Sequence, residues 1–115
     1  MAPIKPTEAA IRAWARLIRV QQALLDFAEA DLKAAGLPPL VWYDVLLELA
    51  RESEGRIRHR DLQRRMLLAK YNLSRLLDRM EADGLVGREP VDDDARGEYL
   101  RLTPEGRKMQ QRMWP

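Results

Sequence analysis

One stretch, residues 69–83 with Gly84 after it, limits the fold more than any other. Leu73, Leu76, Leu77 and Met80 fall at i, i+3, i+4 and i+7, which gathers them into a single stripe of an α-helix. The remaining faces are polar and carry Lys70, Tyr71, Asn72, Ser74, Arg75 and Arg79, all hydrogen-bond donors suited to an anionic or acceptor-rich surface. Gly84 stands where the residue just past a helix often adopts positive φ. Such a helix needs a core under its apolar stripe and leaves the opposite side free.

The segment before it extends the pattern. Arg56-Ile57-Arg58 alternates polar and apolar and reads as a short edge strand. His59 to Met66 reads as a short helix with Leu62 and Met66 inward and Arg58, Arg60, Arg64 and Arg65 outward, and Leu67-Leu68 as a turn with both leucines buried. A short helix, a tight turn and a second amphipathic helix make a helix-turn-helix, in which the first helix crosses a phosphate backbone and the second, here 69–83, enters the major groove. Charge supports this placement. Lys and Arg against Asp and Glu number 5 and 6 over residues 1–50, 9 and 4 over 51–80, and 6 and 8 over 81–115. The net charge of +2 is small, but the excess sits in the one block that contains the helix-turn-helix. Arg79 joins Arg58, Arg60, Arg64 and Arg65 as a candidate phosphate contact, and Lys70, Tyr71, Asn72, Ser74 and Arg75 are candidates for base edges.

Upstream, Thr7 reads as the N-cap of a long helix that ends at Gly36. Its apolar residues form two stripes, Ile11, Trp14, Ile18 and Leu25 on one side and Leu17, Val20, Leu24 and Phe27 on the other. A helix apolar on two sides has to be covered on two sides, by its own chain or by a second subunit. After the linker Gly36-Leu37-Pro38-Pro39, a helix over 39–52 lays Trp42, Val45, Leu46 and Leu49 on the core. Trp42 and Tyr43 could line a ligand pocket, although aromatic residues at helical spacing more often belong to a core. Downstream, residues 85–91 and 98–102 read as two strands around the polar loop Asp92-Asp93-Asp94-Ala95-Arg96-Gly97, a hairpin wing spanning 88–101. Arg96 at its tip suits a narrow minor groove, and Asp94 is placed to orient it. Thr103 and Pro104 then start a helix that runs to about Met113.

Several function classes fall away. The acidic run fails as a calcium loop, since Arg96 and Thr103 stand at the fifth and twelfth positions counted from Asp92. With no cysteine and a single histidine, His59, no metal site, cofactor site or catalytic constellation can be composed, and no enzyme is expected. No apolar run reaches membrane-spanning length and the N-terminus lacks the apolar segment of a signal peptide, which predicts a cytoplasmic protein with no membrane partner.

The order of these motifs resembles the MarR family of transcriptional regulators. The resemblance is carried by Ala35-Gly36-Leu37, Tyr43-Asp44-Val45-Leu46, Asp61-Leu62, the run Ser74 to Glu81, Gly84-Leu85-Val86, Asp94-Ala95-Arg96-Gly97 and Leu102-Thr103-Pro104-Glu105-Gly106. It implies a mainly α fold with a small β-hairpin, divided into an N-terminal dimerisation helix (1–35), a winged helix-turn-helix (36–103) and the start of a C-terminal dimerisation helix (104–115) within one compact domain. The resemblance further implies a homodimer that binds pseudo-palindromic double-stranded DNA, most often as a repressor, and is released by a small phenolic or aromatic effector. Dimer contacts would then fall on Ile11, Trp14, Ile18, Met109 and Met113. Two departures from the family pattern stand out. Ala69 occupies the place of the usual Ser or Thr cap of the recognition helix, and the chain ends where the family continues into longer C-terminal helices. Either dimerisation rests mostly on the N-terminal helix and the stub at 104–113, or this is a truncated or atypical member with a weakened dimer. A winged-helix module that binds protein instead of DNA is the alternative; it would show an apolar patch on the face that carries Lys70, Arg75 and Arg79.

Overall fold

The computed structural model describes residues 5–67, 72–91 and 94–114, and of residues 94–96 the backbone only. In chain order the elements are α1 (Glu8–Ala34), α2 (Leu40–Ala50), β1 (Arg56–Arg58), α3 (His59–Arg65), α4 (Leu73–Ala82), β2 (Val86–Val91), β3 (Asp94–Leu102) and α5 (Pro104–Met113). The strands form one antiparallel sheet in the order β1-β3-β2, with Arg56 opposite Arg101, Arg58 opposite Tyr99 and Val86 opposite Leu102. β1 is thus the edge strand that its alternation predicts.

Local chemistry sets the boundaries. Thr7 and Thr103 cap α1 and α5, each accepting from the backbone N–H three residues on, Ala10 at 3.1 Å and Gly106 at 2.9 Å. Both Gly36 and Gly84 hold positive φ, 71° and 78°. At each the chain closes in a Schellman motif: Gly36 N–H donates to Lys33 O and Leu37 N–H to Leu32 O, while Gly84 N–H donates to Glu81 O and Leu85 N–H to Met80 O. The following apolar residues, Leu37 and Leu85, pack on the core and fix how the chain leaves each helix.

That core is built where the elements converge. Val45, Leu46 and Leu49 of α2, Leu62 of α3, Leu77 and Met80 of α4 and Leu100 of β3 are fully buried. The stripe on α4 lies on this core as its period requires, with Leu73, Leu77 and Met80 buried and Leu76 half-buried. Among the described residues of α1, by contrast, Leu32 alone is buried, and Ile11, Trp14, Leu17, Ile18, Val20, Leu24 and Phe27 are exposed.

The structure corrects four expectations. α4 begins at Leu73, not at residue 69, and its N-cap is Asn72, held in the left-handed region at φ 61° with no side-chain cap bond; the expected cap Ala69, with Leu68, Lys70 and Tyr71, lies outside the described residues. Leu67 is 81% exposed instead of buried, because the core beneath the turn is already closed by Met66 at 2%. β3 begins at Asp94, so most of the expected loop 92–97 is strand, and Arg96 is its third residue. Finally, Met113, expected at a dimer contact, is buried in the chain's own core because α5 folds back on α2, while Met109 packs half-buried against that core.

Candidate nucleic-acid interface

The side of α4 away from the core presents Ser74, Arg75, Asp78 and Arg79 to solvent. Arg75 and Arg79 are one turn apart, and like charges at this spacing cost a helix a few tenths of a kcal/mol. The same spacing recurs on α3, where Arg60 and Arg64 are exposed on the side away from buried Leu62. Among the described residues these four guanidinium groups form no ion pair. Two rows of unneutralised cations on adjoining helices are an electrostatic arrangement that folding alone does not require.

Two other arginines are committed within the protein. Arg65, expected to touch phosphate, ends α3 paired with Glu52. The Glu52 hydrogen bond raises its pKa above the usual arginine value, outweighing desolvation, with the charges of Glu48 and Asp61 adding to the shift. Arg88 of β2 crosses to α4, donating from Nη2 to Asp78 Oδ1 at 2.7 Å and to the Ser74 carbonyl at 3.3 Å. Its Nε is shut away from solvent, 4.0 Å from Glu98 Oε1. Arg88 therefore ties the hairpin to the exposed helix and cancels the one carboxylate that lies between Arg75 and Arg79. Sequence reasoning missed it; the signal was present as Arg88 in a strand and an acid at i+4 from Ser74, but the two are ten residues apart and no local period links them.

The remaining predicted residues are placed as follows. Arg58 is half-buried on β1 and has an interaction partner. Asn72 is exposed at the start of α4. The side chains of Asp94 and Arg96 lie outside the described residues, as do Lys70 and Tyr71. His59 opens α3 with its Nε2 buried. On the sheet, Arg56 stands 4.5 Å from the Tyr99 ring centroid, and Glu89 bridges Arg56 at 3.7 Å and Arg101 at 2.7 Å, so that two arginines directly opposite each other share one carboxylate. Desolvation lowers the Arg56 pKa, but the Glu54 hydrogen bond and the nearby charges of Glu54, Tyr99 and Glu89 reverse this and leave it raised. Trp42 packs half-buried against the core, whereas Tyr43 lies 6.1 Å from the Trp114 ring and lines a cavity of about 130 Å³ with Leu40, Met113 and Trp114. Among the described residues no group of three or more His, Asp or Glu is arranged to hold a metal ion.

A family model described as MarR family matches residues 35–97, a span that takes in α2, the helix-turn-helix and most of the hairpin. The chain belongs to the MarR family. Similar solved structures agree with this. AbsC, a MarR family transcriptional regulator from Streptomyces coelicolor, superposes with a TM-score of 0.81 at 30% identity over 96% of this chain and 74% of that one. Sco3205, another MarR family transcriptional regulator of that organism, was solved in complex with DNA and gives 0.83 at 29% identity over 96% and 69%. The HTH-type transcriptional regulator FarR of Neisseria gonorrhoeae is 31% identical over 93 residues, which are 81% of this chain. The chain spans 62% of the length of FarR.

Proposed function

We propose that this MarR-family chain is a sequence-specific double-stranded DNA-binding transcriptional regulator, acting as a repressor, with α4 in the major groove and the β2–β3 hairpin at the minor groove. The observation that carries this reading is the pair of exposed guanidinium rows, Arg60 and Arg64 on α3 and Arg75 and Arg79 on α4, each opposite a buried apolar stripe. The fit is geometric as well. α4 has the width of a helix that enters a major groove of about 12 Å, and its outward face is charged where a protein-docking module would be apolar. The DNA complex of Sco3205 supports the same use of this fold. A gel shift with random duplex tests the proposal: binding at low salt that is lost steeply as salt rises is expected, since each phosphate contact contributes about 0.9 to the slope of log K against log salt. No shift at low salt would overturn it.

The second part of the proposal is a homodimer. α1 spans 27 residues, roughly 40 Å of helix. Seven of its large apolar side chains are exposed, more than an isolated soluble chain commonly leaves uncovered. A second copy would cover the stripe of Ile11, Trp14 and Ile18 and place two recognition helices about 34 Å apart, one turn of duplex. Trp14 is 64% exposed, so Trp14→Glu leaves the fold of the single chain intact and is expected to convert dimer to monomer in light scattering across a concentration series. A wild-type chain that is monomeric at micromolar concentration would remove the dimer and, with it, the palindromic site. For a small aromatic effector, the cavity beside Tyr43 and Trp114 offers about 130 Å³, below the roughly 300–1,000 Å³ of pockets that take drug-sized ligands, so without widening it would admit only a molecule of about one ring. Among the described residues no helix is long and apolar enough to cross a membrane.

A further inference from the structure

The exit from α3 is held in an unusual way. Met66 caps the helix and is buried, but the next residue, Leu67, turns its side chain out to solvent. Past Met66, Leu67 adds no apolar anchor, although it is the point from which the path to α4 begins. What holds it is α2. Asp44, 7% exposed and 23 residues earlier in the chain, accepts a hydrogen bond from Leu67 N–H on Oδ2 at 2.9 Å. Two turns further along, just past the end of α2, Glu52 accepts from Arg65, the last residue of α3. Glu48, between them and 8% exposed, pairs with Arg51 at 3.5 Å and adds its charge to the field that holds Arg65.

A carboxylate at position 44 is costly on packing grounds. Its neighbours Val45, Leu46 and Leu49 are fully buried, and burying a charged group without compensation is among the most unfavourable substitutions a core can carry. An N–H in a turn, however, has no partner in any helix or ladder, and a buried carboxylate is a strong acceptor for it. Asp44 sacrifices apolar packing, and among its contacts it fixes the Leu67 N–H, which lies between the two helices of the helix-turn-helix.

We propose that Asp44, with the Glu52–Arg65 pair beside it, is a lock that fixes the exit of α3 and so sets the angle at which α4 is presented to a duplex. Asp44 and Arg65 are positioning residues in this scheme. This rests on the DNA-binding reading, and it takes Arg65 out of the phosphate-contacting set in which Arg64 remains.

The test uses the full chain and two readouts. Amide exchange at Leu67, measured without DNA, is expected to speed up about tenfold in Asp44→Ala, the order expected for loss of one hydrogen bond, and to be largely restored in Asp44→Asn, which keeps a carbonyl oxygen as acceptor. Binding is then compared on a duplex selected by the wild-type chain from a randomised library and on random duplex. Asp44→Ala is expected to reduce the preference between them about tenfold with the salt slope unchanged. The exposed Arg65→Ala, which spares the core, is expected to do the same in lesser degree, whereas Arg64→Ala flattens the slope by about 0.9. Unchanged Leu67 protection in Asp44→Ala, equal loss on both duplexes, or a slope change in Arg65→Ala equal to that of Arg64→Ala would overturn the lock. Failure of the wild-type chain to shift any duplex would refute DNA binding instead, and Leu67 exchange would still decide whether Asp44 holds the turn.

Discussion

Gly106→Ala is expected to be the most destabilising single-methyl change available in this fold. Gly106 lies in α5, where helix propensity taken alone favours alanine over glycine by about 1 kcal/mol. Space decides the other way. A Cβ built at 106 would overlap the Leu85 carbonyl oxygen and would come within 2.8 Å of Leu102 Cδ1 and 3.0 Å of the Leu85 carbonyl carbon. The first of these is backbone, and it is fixed, because the Leu85 carbonyl also accepts from Thr103 N–H at 3.2 Å and Leu85 N–H closes the end of α4. The methyl can be housed only by lifting α5 away from Leu85 and Leu102, which loosens its packing on α2, where Met113 joins the core. Overpacking commonly costs about 1–3 kcal/mol, and a clash against immovable backbone belongs at the upper end or above it. For a domain of this size a fall in melting temperature of about 10 °C or more is expected. Gly87→Ala is the control: position 87 has nothing within 4 Å of the added carbon, and its melting temperature should stay within a degree or two. Equal stability of the two variants would mean that Gly106 does not lie against the Leu85 carbonyl.

Much of this architecture is legible without coordinates because it follows from periods and caps. The stripe Leu73, Leu77 and Met80 lies on the core as its 3.6-residue spacing demands, and Gly36 and Gly84 end their helices with the positive φ that only a glycine adopts cheaply. Thr7 and Thr103 cap where their position before an acidic or proline-led first turn places them. The start of α4 escapes this reasoning because Asn72 enters the helix through the left-handed region without a side-chain cap, and no periodicity marks that step. Leu67 and Met113 are misread for a related reason. Which apolar residue reaches the core depends on how neighbouring elements close over it: Met66 fills the place beneath Leu67, and α2 closes over Met113. The interface itself divides the same way. Its exposed cations are readable from charge and helical phase, whereas Arg88–Asp78 and Asp44–Leu67 join residues 10 and 23 apart and answer to no local pattern.

The division of labour on the exposed face leads to the second large effect. Arg75 lies in the first turn of α4, on the side away from Leu77, and Asp78 beside it is neutralised by Arg88, so its guanidinium is free to meet a base edge. Arg64 lies on α3, the helix that would cross the backbone. If α4 reads the groove, Arg75→Ala is expected to reduce preference for a selected duplex over a random one by about 10- to 100-fold, since a good bidentate pair discriminates by about 1–3 kcal/mol. Arg64→Ala should weaken both duplexes alike and reduce the salt slope by about 0.9. Neither change should lower the melting temperature, because each removes one of two like charges a turn apart and relieves a small repulsion. Competition binding at several salt concentrations separates the two outcomes. A uniform, salt-dependent loss from Arg75→Ala as well would make α4 a second phosphate-binding element, and the choice of sequence would then have to come from the hairpin.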